Sequence, residues 1–289
     1  MSTLKTLRSR IKTVRATQKI TTAMKLVSAA KLRKTQEQLN AFYYYDEGFN
    51  RMWGSLLQGA YLEDLPEWLC TQQNAGKLLI VFMADRGLCG SYNANMLRFI
   101  KKQVSEDNMK YGRVDLLPLG HKAMDMLRKE YGKRFVRLLF PSREQKPSVL
   151  EFLHTTTEFL IEHLSSKAYS SVCVCYTRFH SVLRQTIQQE ELLIEKTINI
   201  SPGFPPLFEP SRKTLIEQLA PSYLSNTLRR AYSESQTSEQ AARMRAMETA
   251  TNNANDVLNK LRRTYNRTRQ AGITRELIEI ISGANALEH

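Results

Sequence analysis

A run without proline from Ser238 to Leu287 constrains this chain more than any other feature. Its only glycines are Gly272 and Gly283. Apolar or small residues recur at Met244, Met247, Thr251, Ala254, Leu258, Leu261, Tyr265, Thr268 and Gly272, in alternating steps of three and four. That period, near ~3.5, belongs to a helix wound against a partner helix. Arg243, Arg245, Glu248, Lys260, Arg262, Arg263 and Arg267 exclude a membrane span. Traced back to Pro221, which suits a helix's first turn, the helix reaches roughly 95 Å at ~1.5 Å per residue. A helix of that length cannot be buried in a domain this chain could form, so it is expected to project.

The N-terminus predicts a second long helix over residues 1–58. Leu4, Leu7, Ile11 and Val14 keep the three-four step. The apolar register then shifts to Ile20, Ala23, Met24, Val27 and Ala30, followed by Leu32 and Leu39, as a stutter would produce. Lys5, Arg8, Arg10, Lys12, Arg15, Lys19, Lys25, Lys31, Arg33 and Lys34 meet a single acid, Glu37, before residue 40. With a net charge of +14, this face predicts an acidic partner. Phe42, Tyr43, Tyr44, Tyr45, Phe49 and Trp53 follow and are read as packing the helix onto a domain, not as base-stacking rings.

Residues 59–76 read as a connecting loop and 77–200 as an α/β globular base. Leu78 to Met83 is a continuous apolar run, as expected of a strand covered on both faces. Further strands are predicted at 114–119, 135–140, 171–176 and 185–194, the last a candidate antiparallel strand. Helical stretches at 93–105, 121–131 and 148–165 separate them. This alternation predicts a largely parallel, Rossmann-like sheet. Residues 201–210, rich in proline, form a linker, and 211–289 the C-terminal helix. The fold class is therefore an α/β central domain plus a long antiparallel two-helix coiled coil made by the chain's two ends.

The chemistry-bearing residues point away from catalysis. The turn Ala84-Asp85-Arg86-Gly87-Leu88-Cys89-Gly90-Ser91-Tyr92-Asn93 is no dinucleotide fingerprint, and GxxxxGK[ST] is absent from the sequence. Cys70, Cys89, Cys173 and Cys175 form no CxxC pair, so reduced, mostly buried thiols are expected. No catalytic triad, cofactor site or metal-ligating spacing stands out. The segment Ile273 to Leu287 is rich in branched apolar residues far from the base, and an apolar tip of this kind implies a socket in another protein.

Three stretches resemble the gamma subunits of F-type ATP synthases: Ile11 to Lys34, Ala84 to Asn93 and Ser238 to Leu287. They occur in the right order and span the whole chain. The resemblance implies a non-catalytic rotor shaft whose paired helices enter a hexamer of alpha and beta subunits. It implies a base that stands, with the epsilon subunit, on the membrane c-ring. Carried over by position, Met24, Arg243, Arg269, Gln270, Thr274 and Glu276 are expected at beta or alpha contacts. Ile273, Leu277, Ile280, Ile281 and Leu287 are expected in the hexamer's apolar sleeve, and Phe208 and Glu209 at the base facing the c-ring and epsilon. The acidic partner would then be loops of the beta subunits. Arg275 stands where the family usually has glutamine, and Gly272 where it has alanine or serine. The paired-cysteine insertion of chloroplast relatives is missing, so redox regulation is not expected. The basic start is read as mature helix, which implies a bacterial protein peripheral to the cytoplasmic face of the inner membrane.

A basic coiled-coil scaffold for nucleic acid is the alternative, and it predicts binding that weakens steeply with salt.

Overall fold

A computed structural model describes residues 4–58, 60–71, 75–132, 148–166, 169–194 and 208–287. In order these form helix α1 (Leu4–Leu57), two short 3-10 turns (Leu62–Asp64 and Glu67–Leu69), strand β1 (Gly76–Phe82), α2 (Tyr92–Tyr111), β2 (Val114–Leu119), α3 (His121–Tyr131), α4 (Val149–Ser166), β3 (Tyr169–Phe179), β4 (Gln185–Glu191) and α5 (Arg212–Leu287). The strand expected at 135–140 lies outside the described residues, as does the linker up to residue 207.

The sheet is mixed and has four strands in the order β2-β1-β3-β4. β1 runs parallel to β2, from Lys77 beside Val114 to Phe82 beside Leu119, and parallel to β3. β3 and β4 are antiparallel. Alternation along β1 sends its side chains to two layers. Leu79 and Val81 meet Met96, Ile100 and Val104 of α2, Leu127 of α3, and both Cys173 and Cys175. Leu78, Ile80 and Phe82 meet Leu153 and Leu160 of α4 and Leu224, Leu228 and Ala231 of α5. Helices on both faces account for an apolar run without polar alternation.

Local chemistry sets the helix starts. Ser148 and Glu151 make a reciprocal capping box at α4, with N–H···O distances of 2.7 and 3.2 Å. At α5 the Ser211 hydroxyl accepts the Thr214 N–H at 3.2 Å. This cap explains why the helix begins at Arg212 and carries Pro221 in its interior, where the sequence alone had suggested a first turn.

The chain divides into two compact units, Ala30–Ala242 and the pair of segments Met1–Ala29 with Arg243–His289. In the terminal unit the two segments run antiparallel. Gln18 donates its amide to Asn255 at 2.7 Å, Thr251 donates to Thr21 at 2.8 Å, and Lys25 pairs with Glu248 at 2.6 Å. From 251 to 272, the residues that are not exposed are Thr251, Ala254, Leu258, Leu261, Tyr265, Thr268 and Gly272, which is the seam the sequence predicts.

The N-terminal seam differs from expectation. Leu7, Ile11 and Val14 are covered, but the next covered positions are Gln18, Thr21, Met24, Lys25 and Ser28. Ile20 and Val27 are 59% and 56% exposed. The three-four step therefore runs on without a stutter, through polar residues.

Candidate subunit interface

In the terminal unit the basic residues of α1 are solvent-facing. Lys5, Arg8, Arg10, Lys12, Arg15 and Lys19 are all exposed, while Lys25 is half-buried on Glu248. Met24 is half-covered, with exposed Ile20, Leu26 and Val27 around it. Arg243 is buried. Further along α5, Arg269, Gln270, Thr274 and Glu276 are exposed, and the Thr274 hydroxyl donates to the Gln270 carbonyl at 3.0 Å. Ile273, Leu277, Ile278, Ile280 and Ile281 are also exposed. The helix continues to Leu287, whose side chain lies outside the described residues. Water around so many branched side chains is a cost that a partner surface would relieve.

In the larger unit, Phe208 packs in a cluster with Phe49, Trp53, Leu56 and Ile216, and the Arg212 guanidinium lies 5.0 Å from its ring centre. Glu209 is exposed. The aromatic segment of α1 packs as expected: Phe49 stacks on Trp53, and Trp53 on Tyr223 at 5.0 Å. Tyr44 and Tyr45 remain exposed. At the carboxyl end of β1, Arg86 and Leu88 are exposed, and Leu88 sits at φ 64° with Gly90 at φ 60°. Backbone of this kind turns tightly and sets Arg86 at the surface.

The sequence did not reveal one feature. The polar run Ser233 to Gln240 on α5 is largely buried, and Glu234 is 1% exposed. Glu234 accepts the Tyr43 hydroxyl at 2.6 Å and the Phe179 N–H at 2.9 Å, with Arg178 at 3.9 Å. Burial raises its pKa above the ordinary glutamate range, against those bonds. One turn earlier, Arg230 pairs with Asp46 of α1 at 2.8 Å and with Glu190 of β4. Tyr92 of α2 bonds the Ser235 hydroxyl at 2.7 Å, and Ser238 donates to the Thr177 carbonyl at 2.9 Å. A signal was available: so many Ser, Thr, Glu and Gln in mid-helix either face water or find tertiary partners.

A family model described as ATP synthase matches residues 3–287. The ATP synthase gamma chain of Paramagnetospirillum magneticum is 36% identical over 306 residues, covering 99% of this chain and 100% of that one. This chain belongs to the ATP synthase gamma family. The gamma chain of Chlorobium limicola is 37% identical over 300 residues, with 100% of both chains covered. In fold, the chain is similar to one from the rotor of Euglena gracilis mitochondrial ATP synthase. The TM-score is 0.67 at 20% identity, and 93% of this chain and 98% of that one are covered. As a gamma-family chain it is a non-catalytic subunit of a membrane-associated complex. Among the described residues, no helix is long and apolar enough to cross a membrane. The nucleic-acid reading finds no support in these relatives.

Proposed function

We propose that this chain is the central rotor shaft of a proton-translocating ATP synthase, coupling rotation of a membrane c-ring to conformational change at nucleotide sites on beta subunits. Full-length identity to gamma chains carries this reading. The antiparallel contacts of the terminal segments support a two-helix coiled coil, and the three-four seam gives it the knobs-into-holes period. The two parallel pairings, with helices on both faces, support a Rossmann-like base.

The partners are alpha, beta and epsilon subunits and the c-ring, with the chain peripheral to the cytoplasmic face of a bacterial inner membrane. Met24, Arg269, Gln270, Thr274 and Glu276 meet the beta and alpha subunits, whereas Arg243, expected with them, is buried by this chain itself. The exposed basic face of α1 favours acidic loops there. Ile273, Leu277, Ile280, Ile281 and Leu287 occupy the hexamer's apolar sleeve. Phe208 and Glu209 mark the end facing the c-ring and epsilon. Functionally, the helices 1–58 and 211–289 form the shaft and 77–200 the base, joined through 59–76 and 201–210.

Reconstitution tests this. Alpha and beta subunits purified alone should hydrolyse ATP slowly, and adding this chain should yield an isolable complex with high ATPase activity. Failure to co-purify with them, or an ATPase rate unchanged by the chain, would remove the reading.

A further inference from the structure

The buried polar run on α5 makes contacts in several directions at once. Arg230 and Glu234, one turn apart, reach α1 through Asp46 and Tyr43. The same two side chains reach the sheet through Glu190 of β4 and the Phe179 N–H of β3. Ser235 is held by Tyr92 of α2, and Ser238 by the Thr177 carbonyl of β3. All of these contacts lie within the unit Ala30–Ala242.

Around them α5 also packs through Leu224, Leu228 and Ala231. Apolar packing resists separation but has no direction of its own. Hydrogen bonds are directional and weaken steeply once misaligned. Turning α5 by ~20° would move side-chain tips at ~5 Å radius by about 2 Å, beyond the range of such bonds. The bonds to Glu234 and Arg230 involve charge, and the Glu234 and Asp46 carboxylates are buried, so slippage would strand those two groups away from water.

We propose that Arg230, Glu234, Ser235 and Ser238 form a torque-carrying joint that fixes the rotational setting of α5 and α1 against the sheet. The inference rests on the shaft reading. A shaft driven through its sheet domain has to transmit turning force to its helices without slip, and this run is where directional bonds replace an apolar interface. The four are positioning residues, acting on helix orientation and not on nucleotide.

The test uses the complete membrane-reconstituted ATP synthase. One variant combines Arg230→Met, Tyr43→Phe and Ser238→Ala, which removes directional bonds while keeping bulk. A control, Leu228→Ala, lowers stability by opening a cavity and leaves every bond of the joint in place. An Arg230→Lys variant asks whether charge at this point rescues function. ATP hydrolysis by both main variants should stay near the parent's. The joint variant should lose about half or more of its proton pumping per ATP as the opposing gradient rises, since coupled contacts fail together. Leu228→Ala should pump normally, and Arg230→Lys should recover part of the loss. Normal pumping by the joint variant overturns the joint. So does an equal loss in Leu228→Ala at matched thermal stability, because stability alone would then explain it. If the joint variant does not assemble, Tyr43→Phe with Ser238→Ala is the milder form, and normal pumping by it under load also overturns the proposal. Failure of the parent chain to assemble an active complex would instead strike the shaft reading.

Discussion

The hydroxyl of Thr21 donates to the Gln18 carbonyl at 3.0 Å, which leaves its oxygen to accept the Thr251 hydroxyl at 2.8 Å. Two threonines thus close a seam layer that leucine would ordinarily fill. Each hydroxyl also has a carbonyl of its own helix in reach, Gln18 for Thr21 and Met247 for Thr251 at 2.8 Å, so either single change removes the cross-seam bond and the second change has no such bond left to lose. Thr251→Val alone should cost about 1 kcal/mol, and Thr21→Val with Thr251→Val should cost less than the two single changes summed. Urea unfolding followed by helical circular dichroism on the single and double variants measures the coupling. Simple additivity would contradict it.

That layer shows why one half of the helix pair was legible and the other was not. On α5 the covered face coincides with the apolar one, so periodicity finds Ala254, Leu258 and Leu261 directly. On α1 the two faces part company after Val14. Ile20 and Val27 point outward, Gln18 and Thr21 are covered with polar groups across the seam answering them, and Ser28 is buried further along. A hydropathy pattern follows apolar side chains wherever they face, including toward a partner the chain lacks when alone. The burial of the run at Glu234 leaves no mark in the local pattern for a related reason: its partners, Tyr43 and Phe179, are remote in sequence. The sheet was legible because strands such as Leu78 to Phe82 are apolar throughout. The sites taken from family likeness rest on position in sequence, and no contact within one chain can reveal a contact with another.

Glu234 makes the stability of the larger unit depend on pH. Burial raises its folded-state pKa above the ordinary glutamate value of 4.5. A raised acid favours the folded state below the unfolded pKa, and this contribution is lost as pH rises through the folded pKa. Between 4.5 and the raised value the parent should therefore lose stability that Glu234→Gln does not lose. Subtracting the two urea midpoint-versus-pH profiles isolates this group, and identical slopes across the window would refute the assignment.

Gly120 and Gly272 should respond in opposite directions to the same substitution. Gly120 has φ +118°, and an added Cβ would lie 2.6 Å from the Met83 carbonyl oxygen. Gly120→Ala therefore combines strain with a clash, at a cost of about 2 kcal/mol or more. Around Gly272 nothing lies within 4 Å. Gly272→Ala should add up to about 1 kcal/mol of helix stability. Thermal unfolding of the two variants, judged against the parent, checks both signs.

Thiol labelling should read out burial. Burial pushes the Cys173 thiol up to about 11 and, on the same sheet face, raises that of Cys175 as well. Cys89 is buried, whereas Cys70 is half-covered. With thiolate scarce and access closed, maleimide at mildly alkaline pH should mark Cys70 first. Mass spectrometry of peptides from the labelled native chain gives the order. Early modification of Cys175 would mean that the sheet opens far more readily than its packing implies.

Truncation after Gly272 separates the tip from the rest of the molecule. The deletion removes Ile273, Leu277, Ile280 and Ile281, which are exposed, and takes nothing from the unit Ala30–Ala242. Both tryptophans report on that unit, Trp53 from within an apolar cluster and Trp68 from its edge. The urea midpoint followed by their fluorescence should therefore match the parent's. Seating in an alpha–beta hexamer should weaken, because the apolar area that a sleeve would cover is gone, and each fully buried Ile or Leu is worth ~1.5–3 kcal/mol. A sedimentation or pull-down titration measures that loss. A lowered tryptophan midpoint would show that the larger unit leans on the tip, and an unchanged hexamer affinity would show that the branched residues at 273–281 are not what a partner holds.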